Sequence, residues 1–145
     1  MNFRRLLATV LIFAALYGIV YFWKRHSANK DDAKLEDVRR LYAALPLYPG
    51  FKEVNSSYES KVTLVHLDKT FVSDAPYDQV KSFYIDKLSK AGWRRTGERK
   101  MKDWWRDFGG RELTFRKGEY SIVIEYSGER TDTDWTYAVS LDWSC

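Results

Sequence analysis

Between Lys87 and Lys117 the chain holds eleven basic residues against four acids, Glu98, Asp103, Asp107 and Glu112. Within that stretch Arg94, Arg95, Arg99, Lys100, Lys102 and Arg106 are interleaved with Trp93, Trp104 and Trp105. Cations at this density bind phosphates or acidic sugars, and tryptophans beside them stack on rings or enter a bilayer interface. Arg94, Arg95, Arg99, Lys100, Lys102, Trp104, Trp105 and Arg106 are therefore the contact surface that the sequence offers to an anionic lipid, an envelope polymer or a membrane protein partner. A plainer reading competes: Trp93 closes a helix, Trp104 and Trp105 bracket a strand, and the cations pair with acids elsewhere. Such acids exist, because the last 28 residues carry six of them against Arg130 alone.

Catalytic patterns are missing. There is no G-x-S-x-G, no phosphate-binding glycine loop, no dinucleotide fingerprint and no H-E-x-x-H. The two histidines are His26 and His66. His66 and Asp68 alternate within an extended pattern and so share a strand face, where they could hydrogen-bond. A hydrolase would need a nucleophile beside them, and none is identifiable, which favours a structural or solvent-facing histidine. Asp132-Thr133-Asp134 has the spacing of two calcium ligands, but Trp135, Thr136 and Tyr137 fill the positions where further ligands belong. Asp103 and Asp107 would meet only on a helix, and Gly109-Gly110 argues against one. A single cysteine, Cys145, excludes an internal disulfide and a multi-cysteine zinc site. The expectation is a protein that is not an enzyme, with no cofactor and no bound metal.

The 145 residues carry a formal charge of +4, but the excess sits at one end. Residues 1–26 contain Arg4, Arg5, Lys24 and Arg25 and no acid, so the chain from Ser27 onward is formally neutral. The basic pI gives no support for nucleic-acid binding. Those four charges flank an unbroken apolar run, Leu6 to Trp23. Its eighteen residues make a helix of about 27 Å, close to the hydrocarbon thickness of a bilayer. Tyr17, Tyr21, Phe22 and Trp23 crowd its C-terminal end as an interfacial aromatic belt would. That bulky end and the length favour an uncleaved anchor over a cleaved secretory signal. A literal count of flanking cations favours a cytoplasmic domain. A short tail bearing two arginines before an apolar run has instead the form of a bacterial signal anchor, and long domains cross largely regardless of charge. The expected location is a single-pass membrane protein with an extracytoplasmic domain, a cytoplasmic one being the alternative.

What positions the remaining residues follows from periodicity. Leu35, Val38, Leu41, Tyr42 and Leu45 recur at helical spacing after a polar linker. Leu45-Pro46-Leu47-Tyr48-Pro49-Gly50 then turns into the domain proper. Phe51 to Tyr58 and Lys61 to Ser73 read as strands. Tyr77, Val80, Tyr84, Leu88 and Ala91 form the stripe of a helix capped by Ser73 or Asp74 and stopped by Gly92. Alternation then marks strands at Trp93 to Arg99, Arg111 to Lys117, Tyr120 to Tyr126 and Trp135 to Trp143. The order β-β-α-β-β-β-β predicts an α+β fold: an antiparallel sheet with one packed amphipathic helix, preceded by an N-terminal transmembrane helix and a juxtamembrane helix. The expected divisions are 1–26 as anchor, 27–45 as linker and amphipathic helix, and 46–145 as globular domain.

The run Leu45-Pro46-Leu47-Tyr48-Pro49-Gly50, then Ala75-Pro76-Tyr77-Asp78-Gln79-Val80, Phe83-Tyr84, Leu88 and Gly92-Trp93, resembles uncharacterised bacterial membrane-anchored or lipoprotein-like α+β domains. These carry a YPG…FY…L…GW signature, and the likeness covers roughly residues 45–143. It implies an exported bacterial α+β domain, brings no catalytic residue, and departs from lipid-modified members in having a membrane helix where they use a cysteine. The function expected is a membrane-anchored, non-catalytic envelope binding or accessory domain. The alternatives are a small accessory subunit of a membrane protein complex and, behind it, a hydrolase using His66.

Overall fold

The computed structural model describes residue 17 and residues 33–61, 63–103 and 106–144. Among these no helix is long and apolar enough to cross a membrane. The Leu6 to Trp23 run, apart from Tyr17, lies outside the described residues.

The elements follow the predicted order. Helix α1 (residues 33–43) precedes strands β1 (Lys52–Lys61) and β2 (Leu64–Val72), then helix α2 (Tyr77–Lys90) and strands β3 (Arg94–Asp103), β4 (Arg106–Lys117), β5 (Tyr120–Tyr126) and β6 (Tyr137–Ser144). The six strands form one antiparallel sheet in the order β1-β2-β6-β5-β4-β3. The last strand therefore enters the middle of the sheet, between β2 and β5. Its alternate residues Tyr137, Val139, Leu141 and Trp143 meet Phe71, Lys69, Leu67 and Val65 on one side and Tyr126, Ile124, Ile122 and Tyr120 on the other. Both outer strands are rich in charge, and every residue of β1 is exposed, a composition that discourages pairing with another sheet edge.

Two helices pack on the sheet rather than one, and both cover the same face. Val38, Tyr42 and Leu45 from the α1 segment and Val80, Tyr84 and Leu88 from α2 join the apolar strand residues in a single buried cluster. The Tyr42 hydroxyl donates to the Val139 carbonyl at 2.9 Å and fastens α1 over β6. Phe51 stacks on Phe71 and on Tyr137, each with centroids 5.0 Å apart, closing the cluster near the strand ends.

The close of α2 matches expectation. Gly92 has φ of 82°, its N–H bonds to Ser89, and the Trp93 N–H bonds to Leu88 at 2.9 Å, while buried Trp93 covers the last turn. Its start does not. Pro76 holds the N-cap position with no side-chain cap, and Ser73 Oγ, the expected cap, accepts from the Ala75 N–H at 3.2 Å. Proline lacks an N–H, and its fixed φ suits the helix entrance, so the cap is dispensable. Strands β3 and β4 are longer than their alternation indicates. A bulge opposite Lys100 to Lys102 interrupts the pattern, and Gly128 packs against the Phe108 carbonyl so closely that an added Cβ would lie 2.1 Å from it. The Glu129 N–H bonds to that carbonyl at 2.7 Å, holding the bulge in place.

Candidate functional site

Because strand side chains alternate, the face away from both helices carries the intervening residues. Cross-strand register orders them into three rows. One runs Glu59, His66, Asp142, Ser121, Arg116, Arg94; the next Ser57, Asp68, Ser140, Val123, Thr114, Gly97; the third Thr70, Ala138, Glu125, Glu112, Arg99. Small side chains occupy the middle. Acids gather over β2, β6 and β5, and arginines over β4 and β3, so the face is electrically two-sided.

His66 Nδ1–H donates to Asp142 Oδ1 at 2.5 Å, so its partner is Asp142 and not Asp68, the residue that shares its strand. Residues two apart on one strand are separated by almost 7 Å, whereas directly opposed side chains approach within about 5 Å. The pair does not form a hydrolytic triad. In such a triad the histidine stands between nucleophile and acid, but here Asp142 stands between His66 and Ser121. Burial lifts the Asp68 carboxyl above its ordinary range; His66 opposes this and Asp142 adds to it. Burial likewise raises Glu125, with Glu112 and Asp68 acting in the same direction. Among the described residues no group of three histidines, cysteines, aspartates or glutamates is placed to hold a metal ion.

The basic segment does not gather in one place. Strand β3 contributes ten residues at about 3.3 Å each, so Arg94 and Asp103 stand about 30 Å apart along it. Alternation divides the segment again. Arg94 and Arg99 lie on the helix-free face, and Arg95 and Lys100 on the covered one. Several already have partners: Arg95 with Glu98 at 2.6 Å, Arg99 with Glu112 at 2.5 Å, and Lys100 with Asp107 at 3.7 Å. Glu98 also receives Lys81 and the Tyr77 hydroxyl from α2, so this ion pair ties helix to edge strand. Lys102 and Arg106 sit at the far end of the hairpin, where the Arg106 guanidinium lies 5.2 Å over the Phe108 ring. Trp104 and Trp105 are outside the described residues. Arg130 is engaged by Asp132 at 2.8 Å, which argues against a calcium role for Asp132-Thr133-Asp134.

The pair that sequence reading missed is Arg94 with Arg116, directly opposed across β3 and β4. Both are exposed. Arg116 also lines a cavity of about 140 Å³ with Gly118, Glu119, Tyr120, Ser121 and Ser144. Only the hairpin register, including its bulge between Arg95 and Gly97, brings these two arginines together.

No family model, curated protein or solved structure matches the chain.

Proposed function

We propose that the chain is a single-pass, membrane-tethered, non-catalytic module, anchored by Leu6 to Trp23 in a bacterial envelope membrane, with its globular domain outside the cytoplasm and its basic end held against the bilayer. The observation that carries this reading is where α1 begins. Lys34 in its first turn lies 4.8 Å over the Trp143 ring and 3.5 Å from Glu119. The chain thus enters the domain at the end of the sheet where β1 finishes, the β4–β5 turn lies and β3 starts. Residues 24–32 separate the apolar run from α1 and reach about 30 Å when fully extended. A membrane helix at Leu6 to Trp23 consequently keeps that end of the domain near the headgroups.

The charge at that end suits the position. Arg94, Arg116 and Lys117 lie at the strand ends there and Lys87 in the last turn of α2, none paired with a carboxylate among the described residues, whereas Lys61 pairs with Glu59 and Lys90 with Asp86. Lys117 Nζ donates to the Ala91 carbonyl at 2.8 Å, joining helix end to strand end. The acidic loop containing Glu129, Asp132 and Asp134 follows β5 at the opposite end. A domain so polarised is drawn to an anionic leaflet by about 1 kcal/mol for each basic residue near the surface that no carboxylate offsets.

Two measurements test the reading. The chain should stay with the membrane after alkaline carbonate extraction, and Cys145 should react with an impermeant maleimide in intact cells whose outer membrane has been permeabilised. Release by carbonate overturns the tether, and protection of Cys145 until lysis overturns the location. Exchanging Leu6 to Trp23 for an unrelated apolar helix should preserve function. Loss of function would instead favour a subunit whose membrane segment packs on the helices of a larger complex.

A further inference from the structure

We infer that Arg94 and Arg116, with the cavity that Arg116 lines, form a binding site for a phosphate group. Like charges directly opposed on neighbouring strands destabilise a sheet unless something lies between them. Elsewhere on this hairpin the arginines are accommodated: Arg95 on Glu98, Arg99 on Glu112, and Arg111 on the Gly109 and Gly110 carbonyls. Among the described residues the side chains of Arg94 and Arg116 have neither an ion pair nor a hydrogen bond. Arginines on directly opposed residues can both turn planar donor forks toward one oxyanion, which such forks grip in bidentate fashion.

The surroundings supply the rest of the site. Ser121 is the next residue in the row after Arg116, and it lines the same cavity as Ser144. Neither hydroxyl has a hydrogen-bond partner among the described residues, so both can donate to an anion held by the arginines. The nearest carboxylates are already occupied. Glu119 accepts from Trp143 Nε1 at 2.9 Å and lies beside Lys34, and Asp142 is bound to His66. Two guanidinium forks and two hydroxyls offer donors from several directions, which suits the tetrahedral oxygens of phosphate better than a flat carboxylate. If the tether proposed above holds, the phosphate nearest this end of the sheet belongs to a phospholipid headgroup. The recognition chemistry is the same for free phosphate.

The test uses the full chain and follows by NMR the backbone amide signals of Gly118, Ser121 and Ser144, which line the cavity and are present in every variant. In one arm the protein is held in a maltoside detergent, which carries no phosphate, and titrated with inorganic phosphate. In the other it is reconstituted into phosphatidylglycerol bilayers or into uncharged, phosphate-free galactolipid bilayers. The signals should shift in at least one arm, and Arg94→Gln with Arg116→Gln should weaken that response roughly tenfold or more. Saturation by inorganic phosphate identifies a site for soluble phosphate; a response to phosphatidylglycerol alone identifies the headgroup. Lys102→Gln with Arg106→Gln removes equal charge at the far end of the hairpin and should leave the response intact. Because Arg94→Gln and Arg116→Gln relieve a like-charge opposition, the double variant should melt no lower than the parent. The site is overturned by silence in both arms, by a response that survives loss of both arginines, or by one that falls equally with Lys102 and Arg106. The detergent arm is independent of membrane attachment, so its result is distinguishable from failure of the tether.

Discussion

The two faces of the sheet are built from the same strands, offset by one residue, and they do opposite work. On the covered face Leu113, Phe115, Ile122, Ile124, Val139 and Leu141 are fully buried beneath two helices. On the other, Thr114, Ser121, Val123, Ser140 and Asp142 alternate with them, and no described helix lies over them. A single-residue slip of register would exchange the two sets, so the apolar set specifies the pairing while the polar set is left available for contacts. The apolar core residues and the polar side chains are thus separated in space, although they are interleaved in sequence.

The strongest way to break this comparison is a pair of neighbouring substitutions on β6. Leu141→Ala opens a cavity under both helices and should cost about 2–5 kcal/mol. Ser140→Ala, one residue away on the opposite face, is also buried but removes one hydroxyl and no core methylene, so it should cost no more than about 1 kcal/mol. Chemical denaturation of both variants measures the difference. Equal losses would mean that the second face is also a packed interface.

A middle-sized effect tests what fastens the cover. Tyr42→Phe keeps the ring in the core and removes only the hydrogen bond to the Val139 carbonyl. The expected cost is about 1 kcal/mol. Amide exchange should quicken in residues 33–43 before it quickens in β6, because the substitution loosens α1 and leaves the central strand paired on both sides.

Which parts of this arrangement could be read beforehand follows from the range of the interactions. Element order, the helix stop at Gly92 and the apolar face of each strand depend on residues close in sequence, and periodicity exposes them. The partnership of His66 with Asp142 spans 76 residues and depends on β6 inserting beside β2, which alternation cannot encode. Arg94 and Arg116 are closer in sequence, but their opposition requires a hairpin register shifted by a bulge. Read as composition, Arg94 to Arg106 looked like one basic patch. Extended geometry spreads those residues along a strand and across two faces. The directly opposed pair of arginines lies partly outside that run, because Arg116 belongs to the next strand.

The smallest expected effect concerns the acids of the open face, and its sign separates the two faces again. Glu125 lies opposite Glu112 on one side and Ala138 on the other. Burial raises its carboxyl above the ordinary value of 4.5; Glu112 and Asp68 add to this, while Arg99 and His66 offset part of it. A raised value means that the native state holds the proton more tightly than the unfolded chain does. Glu125 therefore favours folding most below its ordinary value, and stability falls as pH rises through the interval up to its shifted value. Glu125→Gln should be more stable than the parent at neutral pH, with the advantage vanishing on acidification through that same interval. Glu98 and Glu119 have the opposite tendency, because hydrogen bonds from Lys81 and Trp143 respectively are the largest influences holding them low, so the pH profile of the parent alone mixes both signs. The difference between variant and parent isolates Glu125. A difference that stays flat with pH would show that the acids of the open face are as well solvated as those at the rim, and that this face carries no electrostatic strain for a ligand to relieve.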